Sequence, residues 1–351
     1  MYAHFGKPLA GANSAPTESR IRAKVARPPL PDPMKRPVLA IDLGGTLIKA
    51  GLVRGAEILA SASIPAHAEE GLAPQLPRIE SMLGDLCAGL GLGRPDCAGL
   101  AMAVPFLVDP VDRRITSTPK EKYADAAHID LVSWAGTALG LDFRMENDAH
   151  AACLGEWRHG AGQSCDDLAM ITLGTGIGCS VVLRGRPVRG KRFQAGVLCG
   201  HLIADPDGEP CVCCPANGCF ESLAASRSLP GLARRHPDFA SSALGGLSEI
   251  DFKAVFELSS AGDKVALSVR DHVIRLWSAL VVNLCAAYDP DRILIGGAVA
   301  ASADTFLPPM REFVERHAWT VRPPDLVPAA LGNHAGLVGA ASLFDQIPSY
   351  L

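Results

Sequence analysis

The segments VLAIDLGGTLIKAGLV (Val38 to Val53) and LAMITLGTGIGCSVVL (Leu168 to Leu183) have the same construction. Each opens with a short apolar run, breaks at glycines and resumes with a second apolar run. That pattern predicts strand, tight turn and strand. One unit used twice, with its glycine turns some 130 residues apart, predicts two related α/β halves facing a cleft. At 351 residues the chain is long enough for two cores.

The stretches around these units fit the same class. CAGLAMAVP, from Cys97 to Pro105, reads as a buried strand. LDFRMENDAHAACLGEWRHG begins as a strand and becomes a helix at Asn147-Asp148, with Gly160 as its stop. Val269, Val273, Leu276, Leu280 and Leu284 recur at helical spacing before Pro290. The strand RILIGG follows, ending on Gly296-Gly297, and a last helix is predicted from Ala335 to about Ile347.

Glycine turns at three strand ends point to phosphate. Without side chains, their N–H groups can approach a polyphosphate closely. Asp42, just before Gly44, Gly45 and Thr46, adds a carboxylate able to hold Mg²⁺. Thr46 and Thr175 add hydroxyl donors, and Gly174, Thr175 and Gly176 would cradle the second side of the phosphates. No Walker-type loop is present. Phosphoryl transfer also needs a base to orient the attacking hydroxyl. Asp148, at a strand-to-helix junction, is the candidate, with a plain helix N-cap as its other role; Asn147 beside it is placed to hold a substrate hydroxyl.

Bulk charge argues against nucleic-acid or membrane partners. The net charge is −4, and no apolar run approaches the roughly 18 residues of a spanning helix. Residues 1–36 differ from the rest: proline-rich, basic and without hydrophobic period, they read as a disordered tail with no room for a helix-turn-helix domain. The 11 cysteines lie mostly in apolar surroundings, and no apolar signal-peptide core precedes them, so the expected setting is a reducing cytoplasm. GHLIADPDGEPCVCCPANGCFES (Gly200 to Ser222) is the exception, a clustered stretch open to a redox, nucleic-acid or metal role.

Taken in order, LAIDLGGTLIKAGLV, ENDAHAACLGE, ITLGTGIGCSVVLRG, the cysteine stretch and RILIGG resemble the ROK family of bacterial sugar kinases, within the hexokinase/actin-like ATPases. The resemblance spans about residues 38 to 342. It implies two actin-like (ribonuclease H-like) lobes around a central cleft, with a zinc-fastened loop. The first lobe would hold residues 37–148 plus the C-terminal helix at about 335–351, and the second would hold residues 149–334 with the zinc loop 201–221. The resemblance further implies ATP on the first two glycine turns, Asp148 as base, and a sugar facing Asn147, His201 and Glu221. Mg²⁺ and structural Zn²⁺ are the implied metals, and a homodimer or homotetramer the implied assembly.

The departures bear on the sugar. The family's G-E-x-G-H reads VLCGH here, so Leu198 stands in the place of an acid that grips sugar hydroxyls. Phe106 replaces a glycine after Pro105, and TSTPKEKYADAAHIDLVSW replaces an Asn-containing sugar loop, leaving Lys120, Glu121, Lys122 or Tyr123 to take its place. A site built to bond a hydroxyl depends strongly on its acceptor. The expected substrate is therefore a modified sugar, amino sugar or cyclitol; a sugar-binding or regulatory relative is the alternative.

His201, Cys211, Cys213 and Cys219 supply a Cys/His set for tetrahedral zinc, with Cys214 able to replace Cys213 because it restores the family's five-residue step to Cys219. The spacing C-x-C is not C-x-x-C, and the stretch lacks the second Cys/His pair of a finger.

Overall fold

The computed structural model describes residues 36–118 and 122–345. The tail expectation, except for Arg36, and the candidates Lys120 and Glu121 lie outside the described residues.

Val38–Leu43 (β1) is followed by Leu47–Arg54 (β2) and Glu57–Pro65 (β3), and all three pair antiparallel. After the helix Leu76–Gly89 (α1), Leu100–Val104 (β4) pairs parallel to β1. Leu107–Asp109 (β5) and Arg114–Ser117 (β6) form a separate hairpin. Past the short helix Leu131–Trp134 (α2), Phe143–Asn147 (β7) adds parallel to β4. The first sheet therefore runs β3-β2-β1-β4-β7.

Asp148–His159 (α3) leads into the second copy. Leu168–Leu173 (β8), Ile177–Leu183 (β9) and Arg186–Pro187 (β10) are again antiparallel. Three short helices, Phe220–Ala224 (α4), Leu229–Arg234 (α5) and Phe252–Ser260 (α6), precede the long Lys264–Tyr288 (α7). Arg292–Gly296 (β11) then pairs parallel to β8, and Asp325–Pro328 (β12) parallel to β11, with Ala303–His317 (α8) between them. The second sheet is β10-β9-β8-β11-β12, the same order and the same mix of senses as the first. The repeated strand–turn–strand units of the sequence are the β1-β2 and β8-β9 hairpins at the centres of these sheets.

Burial on both faces explains why the central strands read as continuous apolar runs. Val38, Leu39, Ala40 and Ile41 of β1 are all fully buried. Leu39 and Ile41 join the core under α1, while Val38 and Ala40 face Leu337, Val338 and Ala341. Those last residues belong to Ala335–Ala341 (α9), a helix shorter than the sequence predicted: Ser342–Phe344 tightens into a 3₁₀ turn. On the second sheet, Leu168, Met170 and Val182 pack against Leu154 and Trp157 of α3, and the opposite face packs against α6, α7 and α8. Helices α3 and α9 cross at two glycines. A Cβ on Gly155 would lie 2.8 Å from the Ala335 carbonyl oxygen and 3.2 Å from the Gly339 Cα, so neither helix tolerates a side chain there. Among the described residues no helix is long and apolar enough to cross a membrane.

Candidate active site

Four of the expected site segments begin where a parallel strand ends at its carboxyl edge. Asp42 lies on β1, Asn147 closes β7, Gly174 follows β8, and Gly296-Gly297 closes β11. Ligands of open α/β sheets gather at such edges.

The first turn is locked by its own backbone. Gly44 N–H reaches the Leu47 carbonyl at 3.1 Å, and Tyr123 donates its phenol to the Gly44 carbonyl at 2.8 Å. In the second turn, the Gly174 carbonyl accepts from Ser226 N–H at 2.9 Å and the Thr175 carbonyl from Arg227 Nε at 2.9 Å. Both turns are thus tied through their carbonyls. Among the described residues no acceptor takes the N–H groups of Gly45, Thr46, Thr175 or Gly176. Those are the donors a phosphate needs. Gly297 closes in behind the second turn with φ of +88°, and a Cβ there would lie 2.8 Å from the Leu173 carbonyl carbon. Only glycine fits that position.

The hairpin register sets Lys49 opposite Asp42, and the ammonium stands 3.7 Å from the carboxylate. Burial nevertheless raises the Asp42 pKa against the pull of Lys49. Asp148 is raised to about 6, by burial first and by repulsion from Asp42 second. Two half-buried carboxylates within each other's field form a site that favours a cation, so the residues fit Mg²⁺, with Asp42 as its holder.

The structure redistributes the roles of the next pair. Asn147, not Asp148, is the N-cap of α3: its Oδ1 accepts from Ala149 N–H at 3.0 Å and His150 N–H at 3.2 Å, and its Nδ2 donates to the Phe106 carbonyl at 3.1 Å. One amide hydrogen of Asn147 is left for a ligand. Asp148 is the first residue of the helix, and its Oδ1 accepts its neighbour Ala149 N–H at 2.7 Å. Behind Asn147, Glu146 Oε1 accepts the Asn147 N–H at 2.9 Å and Glu146 Oε2 accepts from Arg189 at 2.6 Å. No motif announced Arg189 or Arg227; the first acts from a loop and the second from the 3₁₀ turn Ser226–Ser228, both far along the chain.

Glu221 is buried on α4. Its Oε2 accepts Ile177 N–H at 2.9 Å, and its Oε1, also buried, has no protein partner among the described residues, so it is open to a ligand hydroxyl. Leu198 is exposed on the same 3₁₀ turn, Leu198–His201, that carries His201. No carboxylate stands there. Phe106 does not crowd the site; its ring is buried edge-on against Tyr123, with centroids 5.9 Å apart. Tyr123, expected near the sugar, is fully buried and serves the first turn.

The metal-ligand set needs one correction. The side chains that converge are His201, Cys211, Cys214 and Cys219, with their ligand atoms all within 4.8 Å of one another. Cys213 is outside this group. The Cys211 N–H bonds the Ala216 carbonyl at 3.0 Å and closes a tight turn in which the Cys213 N–H donates to Cys211 Sγ at 3.4 Å. The Cys213 thiol then faces away and accepts from Arg227 at 3.0 Å. Ser222 N–H donates to Cys219 Sγ at 3.4 Å, and His201 presents Nδ1 to the cluster, 3.8 Å from Cys219 Sγ. Backbone donors on two sulfurs and a Cys₃His set at this spacing fit a structural zinc.

The family model for the ROK family matches residues 38–347. The chain belongs to the ROK family. It is 30% identical to a glucokinase of Halalkalibacterium halodurans over 88% of this chain and 94% of the relative. It is 35% identical to the bifunctional enzyme NanE/NanK of Brucella melitensis over 88% of this chain, spanning 54% of that larger protein. Among solved structures, the ROK family glucokinase of Streptomyces griseus in complex with glucose and AMPPNP superposes with a TM-score of 0.74 at 30% identity, covering 88% of this chain and 98% of that one.

Proposed function

We propose that this ROK-family protein moves the γ-phosphoryl group of ATP to a hydroxyl of a modified sugar, amino sugar or cyclitol, with Asp148 as the base. The chain is an ATP-dependent sugar kinase, and the observation that carries the role of Asp148 is its placement. It is a carboxylate at the carboxyl edge of β7, freed from capping by Asn147 and beside Asp42. In the transfer, Asp148 takes the hydroxyl proton as the acceptor oxygen bonds to the γ-phosphorus. The bond from that phosphorus to the bridging oxygen breaks, and ADP leaves with the electron pair. The N–H groups of Gly45, Thr46, Thr175 and Gly176 hold the phosphates in line. Mg²⁺ neutralises phosphate charge when bound.

Glu221 Oε1 and the remaining Asn147 amide hydrogen are suited to accept from and donate to acceptor hydroxyls, and His201 presents the nitrogen not turned to the cluster. Leu198 brings an apolar surface where a carboxylate would discriminate in favour of an unmodified hydroxyl. Loss of one buried acceptor weakens selection for a hydroxyl by orders of magnitude. A panel of hexoses, N-acetylhexosamines and cyclitols in an ATP-coupled assay is expected to show a substituted sugar or cyclitol with the highest kcat/KM. Glucose as the best acceptor would refute that choice.

A further inference from the structure

We propose that Lys122 is a further phosphate-contacting residue of this kinase, its ammonium reaching the γ-phosphate held on the first glycine turn. The proposal rests on the assignment of that turn to ATP. The side chain already lies there: a Cβ built on Gly45 would run into the Lys122 ammonium, and would lie 2.8 Å from its Cε and 3.1 Å from its Cδ. No other side-chain cation is packed on the phosphate-facing glycines in this way among the described residues.

Its position is held by its neighbours. Tyr123 takes φ of +51°, in the left-handed region that residues with a Cβ rarely enter. It is fixed there by three contacts: its N–H donates to the Ala68 carbonyl at 2.7 Å, its phenol to the Gly44 carbonyl at 2.8 Å, and its ring packs on Phe106. Two residues on, the Asp125 carboxylate accepts from Leu72 N–H at 2.6 Å and Ala73 N–H at 2.9 Å. A strained backbone over-determined by its surroundings is a way to aim the residue beside it. Here that residue is Lys122.

The chemistry selects the phosphate to be transferred. The first turn follows directly on Asp42, a carboxylate close enough for its charge to act on Asp148, which puts this turn on the side of the site that carries the base. An ammonium with three donors is a strong point partner for a terminal phosphate, and adds to the unpaired N–H groups of Gly45 and Thr46. Where relatives carry an Asn-containing loop, this chain carries Lys122, which takes over phosphate contact rather than sugar contact.

The test uses the full chain, with Lys122→Met and Lys122→Arg. Titrations with Mg-AMPPNP and with MgADP, without acceptor, are expected to show Lys122→Met weakening AMPPNP about tenfold while ADP changes less than about twofold. Its kcat is expected to fall on the order of 10²-fold with the sugar KM unchanged, and Lys122→Arg to keep most of the AMPPNP advantage. Equal retention of both nucleotides by Lys122→Met would overturn the proposal, as would a rise confined to the sugar KM. Because the titrations need no acceptor, they decide on Lys122 even if the wild-type chain phosphorylates no sugar.

Discussion

Asp148→Asn is expected to keep the fold and the zinc while losing several orders of magnitude in turnover, because the asparagine cannot take the acceptor proton. The same substitution carries a stability signature with a definite sign. The folded pKa of Asp148, about 6, lies above the ordinary carboxylate value of about 3.9. The favourable contribution of the protonated form is therefore fully present below about pH 4 and lost as pH rises through about 6. Above that, the wild-type chain holds an ionised carboxylate against Asp42, whereas the asparagine carries no charge. At pH 7.5 without nucleotide or Mg²⁺, Asp148→Asn should melt at or above the wild-type temperature, and this advantage should shrink toward pH 5. The wild-type kcat/KM should climb as pH rises through about 6. A variant that melts well below wild type at pH 7.5, or one that retains near-normal turnover, would contradict the role given to Asp148.

The second large effect separates two adjacent cysteines. Cys214→Ser removes a converging ligand, so bound zinc should fall from about one per chain to a small fraction. The loop from His201 to Glu221 should loosen with it. Because structural zinc contributes its binding energy to folding, a drop of roughly 5–10 °C in Tm is expected. Sugar affinity should weaken as well, since His201 and Glu221 bound the loop. Cys213→Ser should keep the metal, with Tm within about 2 °C, because that thiol lies outside the converging ligand set and interacts with Arg227 and Glu221 instead. Metal analysis of reduced, freshly purified variants checks both, and zinc lost from Cys213→Ser but kept in Cys214→Ser would reverse the ligand assignment.

These two residues show where sequence patterning stops. The paired hairpins, the helix start at Asn147-Asp148 and the parallel strand ends were legible because apolar runs and glycine breaks are local signals. Which of Asn147 and Asp148 caps the helix was not, since both residue types cap equally well; the Phe106 carbonyl, 41 positions away, settles it by engaging the asparagine amide. The choice between Cys213 and Cys214 turns on the direction each side chain takes in a six-residue turn, a matter of backbone geometry that spacing alone leaves open. The Lys122–Gly45 and Arg227–Thr175 contacts join segments far apart in the chain, and no periodicity connects them. Asp42 with Lys49 is the intermediate case: once the hairpin turn is placed, the register puts them opposite each other.

Phosphorus NMR of the wild-type chain with MgATP and the best acceptor of the sugar panel tests the kinase assignment most directly. The expected spectrum gains one phosphate monoester of the acceptor for each ATP converted to ADP, and Asp148→Asn under the same conditions gains almost none. ATP that stays intact with every acceptor, although a sugar binds, would contradict phosphoryl transfer and mark the chain as a sugar-binding relative that no longer phosphorylates.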